Sequence, residues 1–256
     1  MIRLTKRIFT SLGAHHEMPP VVAGMATMPS RAHTFPTAFH SVIGQVDRLY
    51  LYLDGHDAVP AAAKDDPRVV PILSRDVPGL QGNGKFLGLT LEKSDCLYLG
   101  VDDDIAYPRD YVRRTSEALT ARQRRAIVGY HGSVLLDPFT SYAKSRETIW
   151  FAGALPKARH VDVLGTGTVM FDTEMLRFDV RTWPHVNMLD LYFALEAATA
   201  NLALICLPRR REYLLPLEEH QSDSIYARLL RDDSVETALA IELRERLAKS
   251  RQARRN

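Results

Sequence analysis

Three short apolar runs set the frame for this chain: Val21-Val22-Ala23-Gly24-Met25-Ala26, Arg48-Leu49-Tyr50-Leu51-Tyr52-Leu53 and Asp95-Cys96-Leu97-Tyr98-Leu99-Gly100-Val101. The first shows no apolar–polar alternation, which is how a strand buried on both faces reads. Between the first two, Phe35, Ala38, Phe39, Val42 and Ile43 recur at helical spacing. Val69 to Leu73 reads as a short further strand, and the GLQGNG segment leads into a helix predicted over Lys85 to Glu92. Strand, helix, strand, short strand, helix, strand is the order that builds a parallel, doubly wound sheet. Such sheets bind ligands at the carboxyl ends of their strands. The polar punctuation falls at those ends: Thr27 to Arg31, Asp54, and Asp102-Asp103-Asp104.

The second half is less regular. Asp110 to Arg125 reads as a helix, Ala126 to Tyr130 as a strand, and Asp137 to Leu155 as a polar-aromatic loop excursion. His160 to Leu164 and Thr168 to Asp172 flank a Gly165-Thr166-Gly167 turn. Asp190 to Ala200 reads as a helix, Leu202 to Leu207 as a last strand, and the pattern from Ser222 onward as helical. The expected layout is an N-terminal arm over 1–18, one α/β domain over 19–221, and a basic C-terminal helix over 222–256.

Composition excludes several classes. With 33 Lys+Arg against 31 Asp+Glu, the net charge of +2 is too small for a nucleic-acid binder working through bulk charge. The two cysteines, Cys96 and Cys206, sit in apolar runs and read as core residues of a reducing compartment. No apolar stretch reaches the roughly 20 residues that span a bilayer, and no signal-peptide core is visible, so the expected location is cytoplasmic. Leu239, Leu243 and Leu247 form an i, i+4, i+8 stripe on the basic C-terminal segment. Such a helix can rest on an anionic inner membrane face or serve as a packing helix.

The sharpest feature is the acidic triplet closing an apolar strand. Side chains alternate in an extended segment, so Asp102 and Asp104 share a face and Asp103 opposes them. Adjacent anions call for a counter-charge, and a hard divalent cation with oxygen ligands, Mg²⁺ or Mn²⁺ shared with substrate phosphates, supplies it. The alternative is a solvated acidic turn or a helix cap.

These residues carry a family resemblance. DDDIAYPRDYV resembles the Asp-X-Asp motif of GT-A-fold glycosyltransferases of the family-2-like, bacterial polysaccharide or capsule type. The preceding strand, Thr/Pro/Arg loop, helix ending near Ser-Val-Ile-Gly-Gln, and strand ending in Asp-Gly are similar to that group in the same order. The resemblance covers roughly residues 21–210 and implies a Rossmann-like GT-A fold with a central, mostly parallel sheet flanked by helices. Residues 19–105 would be the nucleotide-binding half and 106–221 the acceptor half.

The resemblance also implies roles. Ala23, Met25, Thr27 and Arg31 would lie beside the base or diphosphate of the donor. Asp54 would meet uracil or ribose, and Asn83 and Lys85 the nucleotide, with Lys85 near a helix start that favours phosphate. Asp102 and Asp104, joined by His220, would hold Mn²⁺ or Mg²⁺, with Asp103 also on the donor side. Gly165, Thr166 and Gly167 would line the transferred sugar, and His131 the acceptor. Asp190 is either a helix cap or the base that deprotonates the acceptor; Leu189 stands where the family often has a second acid. The implied activity is inverting transfer from a nucleotide diphosphate sugar, such as a UDP-sugar, to a glycan or lipid-linked glycan. A nucleotidyl transferase is the alternative of the same fold class, though Gly24-Met25-Ala26-Thr27 is a poor Gly-rich signature. A non-catalytic sugar-nucleotide binder is another.

Overall fold

The computed structural model describes residues 18–218 and 232–253. The chain runs β1 (Val21–Thr27), α1 (Phe35–Ile43), β2 (Arg48–Leu53), β3 (Val69–Leu73), α2 (Gly88–Leu91), β4 (Leu97–Gly100), β5 (Ile105–Ala106), α3 (Tyr111–Thr120), β6 (Ala126–Gly129) and β7 (Gly132–Leu135). It continues through β8 (Arg146–Ile149), β9 (Arg159–Val161), β10 (Val163–Leu164), β11 (Met170–Asp172), α4 (Leu189–Thr199), β12 (Ala203–Cys206), β13 (Leu215–Pro216) and α5 (Ser234–Ala253).

Eight strands form the central sheet in the order β3-β2-β1-β4-β11-β6-β12-β9. β1 runs parallel to β2 and β4, β2 to β3, and β6 to β12. β11 is antiparallel to both of its neighbours, and β9 to β12. The sheet is therefore mixed and mostly parallel, flanked by helices; β11 and β9 depart from the parallel sheet expected. Both faces are covered. Ala23 and Met25 of β1 pack with Leu49, Leu51 and the α1 residues Phe39 and Val42 on one side. Val22, Tyr50, Tyr98 and Phe86 pack with α4 and α5 on the other. Burial on both faces is why the strands read as continuous apolar runs.

Several expected elements differ. The helix expected over Lys85 to Glu92 is a 3₁₀ segment, Gln81–Phe86, followed by the four-residue α2. Glycines at 82, 84 and 88 each cost about 1 kcal/mol in a helix, and Gly84 faces the Tyr52 ring so closely that a Cβ would lie 2.2 Å from it. The helix expected over Asp110 to Arg125 stops at Thr120, because Gln123 and Arg124 take left-handed φ values of 55° and 58°. The Asp137–Leu155 excursion contains β8, which joins β7 and β10 in a separate three-stranded antiparallel sheet. Between His160 and Leu164 the chain changes sheet, from β9 to β10. The turn expected at Gly165-Thr166-Gly167 is a 3₁₀ turn, Thr166–Thr168.

Leu239 and Leu243 of α5 are 8% and 0% exposed and belong to the core cluster shared with α4. Of the two readings of the stripe, these two leucines fit the packing helix; each such leucine contributes about 1.5–3 kcal/mol by burial. Among the described residues no helix is long and apolar enough to cross a membrane. Cys96 and Cys206 are buried free thiols, and burial pushes Cys96 up to about 11. Residues 1–17 of the proposed arm and residues 219–231 lie outside the described residues.

Candidate active site

β4 delivers the acidic triplet to a cavity of about 750 Å³, whose walls include Lys85, Asp102, Asp104, His131, Thr166 and Asp190. The triplet forms a turn after Gly100 rather than extended strand, yet the predicted separation of faces holds. Asp102 and Asp104 line the cavity; Asp103 does not, and is 9% exposed. The turn is pinned by Tyr107, whose hydroxyl accepts from the Asp102 amide (2.8 Å) and donates to the Gly167 carbonyl (2.7 Å). Burial pushes the Asp103 carboxyl up to about 7; the Thr27 hydroxyl opposes this, Asp104 and Asp102 add to it, and Arg31 opposes it.

The Lys85 ammonium pairs with Asp102 Oδ1, and its side chain is 7% exposed. Lys85 lies in the last turn of the 3₁₀ segment Gln81–Phe86, and the α-helix starts only at Gly88, which corrects its expected place at a helix start. It acts as a point charge on the triplet, not through a helix N-terminus. Two turns meet here at backbone distance. A Cβ at Gly100 would lie 2.3 Å from the Thr166 carbonyl, and one at Gly167 would lie 1.8 Å from Asp102 Oδ2.

Asp190 is the second residue of α4, and Met188 is the cap. The capping role therefore does not apply. Asp190 Oδ1 instead accepts from both the amide and the hydroxyl of Thr166, at 2.8 Å each. This fixes the carboxylate at the cavity wall. His131 sits nearby: burial lowers its pKa, Asp190 opposes that, and Arg146 and Arg209 reinforce it.

Of the residues singled out in the sequence, the cavity brings together Lys85, Asp102, Asp104, His131, Gly165, Thr166, Gly167 and Asp190. Others stand apart. The side chains of Ala23 and Met25, read as nucleotide contacts, are wholly buried in the core, because odd positions of β1 face α1. Asn83 is 1% exposed and holds the segment before α4: its amide donates to the His185 carbonyl, and its oxygen accepts from the Asn187 amide. That side chain is a structural clamp. Thr27 and Arg31 are buried beside Asp103, and Arg31 reaches Glu218 at 3.8 Å. Asp54 follows β2 outside the cavity wall, and burial raises its carboxyl, with His56 opposing. His220 lies outside the described residues.

Asp102 and Asp104 could hold a divalent cation. Among the described residues no group of three His, Cys, Asp or Glu side chains makes a cage of its own. Mg²⁺ and similar ions are commonly held by one or two carboxylates with the remaining positions filled by water and substrate phosphates. Two carboxylates on one wall fit that donor set.

Sequence reasoning missed Tyr107 and the wall made by Arg146, Thr148 and Trp150. The i, i+2, i+4 spacing of the latter three was the available signal. The chain matches no known protein family and no curated protein.

Proposed function

We propose that this chain transfers a glycosyl group from a nucleoside diphosphate sugar, a UDP-sugar by preference, to a hydroxyl of a glycan acceptor. The supporting observation is one cavity that joins Asp102 and Asp104, at the end of a central strand, to an Asp190 carboxylate held by Thr166. The acceptor hydroxyl oxygen attacks the anomeric carbon while the bond from that carbon to the diphosphate oxygen breaks. The acceptor proton passes to Asp190, and the electron pair leaves with the diphosphate. Attack opposite the leaving group inverts the anomeric centre. The Thr166 amide and hydroxyl leave the second Asp190 oxygen for the proton, and they restrict its position, which general-base catalysis requires. A divalent cation held through Asp102 and Asp104 would stabilise charge on the departing diphosphate. The Lys85 ammonium places a further fixed positive charge on the same side.

Incubation with a panel of nucleotide sugars, read by released nucleoside diphosphate and by NMR of the product anomer, tests this reading. Asp190→Asn is expected to lower transfer by about 10²- to 10⁴-fold while UDP binding stays unchanged. Near-normal turnover in that variant removes Asp190 from the mechanism.

A further inference from the structure

β8 contributes a further part of the cavity lining, and its two faces are sorted by charge. Glu147 and Ile149 point one way: Glu147 pairs with Arg159 (2.6 Å), and Ile149 is buried. Arg146, Thr148 and the next alternate residue, Trp150, line the cavity. Among the described residues Arg146 forms no ion pair; its guanidinium lies 4.3 Å over the Tyr142 ring. Asp190 lines the same cavity and accepts from Thr166 instead. The Tyr142 hydroxyl also accepts a hydrogen bond from Arg146, and the remaining N–H donors of a guanidinium bind an oxyanion with two parallel hydrogen bonds.

Trp150 is 48% exposed, yet its backbone is firmly held. The buried Arg209 donates through Nη2 to the Trp150 carbonyl (2.6 Å) and through Nε to the Phe151 carbonyl (2.9 Å). Leu155 and Arg209 exchange two further backbone hydrogen bonds, at 2.9 and 2.8 Å. The indole packs on Phe151 at 5.6 Å, and Phe151 on His131 at 5.9 Å. A large aromatic face kept rigid and open in a polar cavity is suited to the C–H face of a sugar ring.

We propose that this wall is the acceptor subsite and that the acceptor is an anionic saccharide, with its oxyanion on Arg146 and a sugar ring on Trp150. The word acceptor rests on the glycosyltransferase reading above; the saccharide site rests on the wall itself. A neutral glycan would cover Arg146 without supplying the partner that a desolvated cation needs. The donor diphosphate belongs beside Lys85 and Asp102.

Tryptophan fluorescence of the full chain tests the assignment. The chain has two tryptophans; Trp183 is 9% exposed and stacks on Phe178 at 5.2 Å, so quenching by added ligand reports on Trp150. The probes are a uronic-acid trisaccharide, the same trisaccharide with its carboxyls reduced to alcohols, and glucose 6-phosphate, each with and without UDP. One of the two charged probes is expected to quench saturably and at least about tenfold more tightly than the reduced trisaccharide. Whichever charged probe binds tells a carboxylate from a phosphate. Arg146→Gln is expected to erase the difference, and Arg146→Lys to keep part of it, so that a folding failure in the first is covered by the second. Trp150→Phe is expected to remove the signal. Equal binding of the reduced trisaccharide, no binding of either charged probe, or displacement by UDP overturns the assignment. If UDP binds and no anionic saccharide does, the wall assignment fails alone. If the saccharide binds and no nucleoside diphosphate does, the transferase reading fails alone.

Discussion

Gly167→Ala tests how closely the acidic turn is fitted to the turn that holds Asp190. A Cβ at 167 lies 1.8 Å from Asp102 Oδ2 and 2.4 Å from its Cγ. The carboxylate therefore has to swing away by roughly 1.5 Å to regain ordinary contact. It can do so, because the Asp102 side chain is 36% exposed and can be rehydrated in the cavity. Lys85 cannot follow, since its side chain is 7% exposed. Stranding one member of a buried pair costs about 3–5 kcal/mol; solvent on the Asp102 side reduces the expected loss to about 2–3 kcal/mol. Urea unfolding of the wild type, Gly167→Ala, Lys85→Met and the double variant measures this as a cycle. Removing the ammonium removes the stranded charge, so the double variant is expected to be about 2 kcal/mol more stable than additivity gives. Additive losses, or a Gly167→Ala cost under about 0.5 kcal/mol, refute the reasoning. Gly100→Ala has no such escape: its Cβ meets the Thr166 carbonyl, which is backbone, so the larger loss is expected there.

Asp103 gives stability a sign that most carboxylates do not. Its folded pKa of about 7 lies above the unfolded value, so the folded chain holds the extra proton between about pH 4 and 7. The stability it contributes is complete below about pH 4 and is lost as pH rises through 7, by up to about 4 kcal/mol. Asp103→Asn should flatten this slope, gaining on the wild type in urea unfolding from pH 5 to 8; parallel slopes contradict the assignment. Leu243→Ala empties a site that is 0% exposed between α5 and α4, and a loss of about 2–5 kcal/mol is expected. A loss under about 0.5 kcal/mol, as for an exposed position, contradicts the packing role.

The N-terminal half of the fold was legible because its strands are buried on both faces and its polar residues gather at the strand ends. The runs Val21 to Ala26 and Arg48 to Leu53 fall on β1 and β2 within a residue. The separation of Asp102 and Asp104 from Asp103 was expected from strand alternation, but a turn rather than extended strand produces it. β8 was hidden because one of its faces meets the cavity and carries Arg146 and Thr148, so Arg-Glu-Thr-Ile reads as polar loop. The side chains of Ala23, Met25 and Asn83 lie away from the cavity for a different reason. Their place in a resembling motif says which segment nears a ligand, not which way each side chain points. In β1 the odd positions serve the core, and Asn83 is spent on the 185–187 backbone. The C-terminal stripe was visible as a stripe, but what covers it depends on α4, which is distant in sequence.

Calorimetric titration of UDP into the full chain, with Mn²⁺ and then with chelator, decides whether the cavity is a donor site. The expected result is saturable binding that tightens at least about tenfold with the ion and loses that gain in Asp102→Asn. The absence of binding by UDP or any other nucleoside diphosphate, with the ion present, contradicts the proposed function.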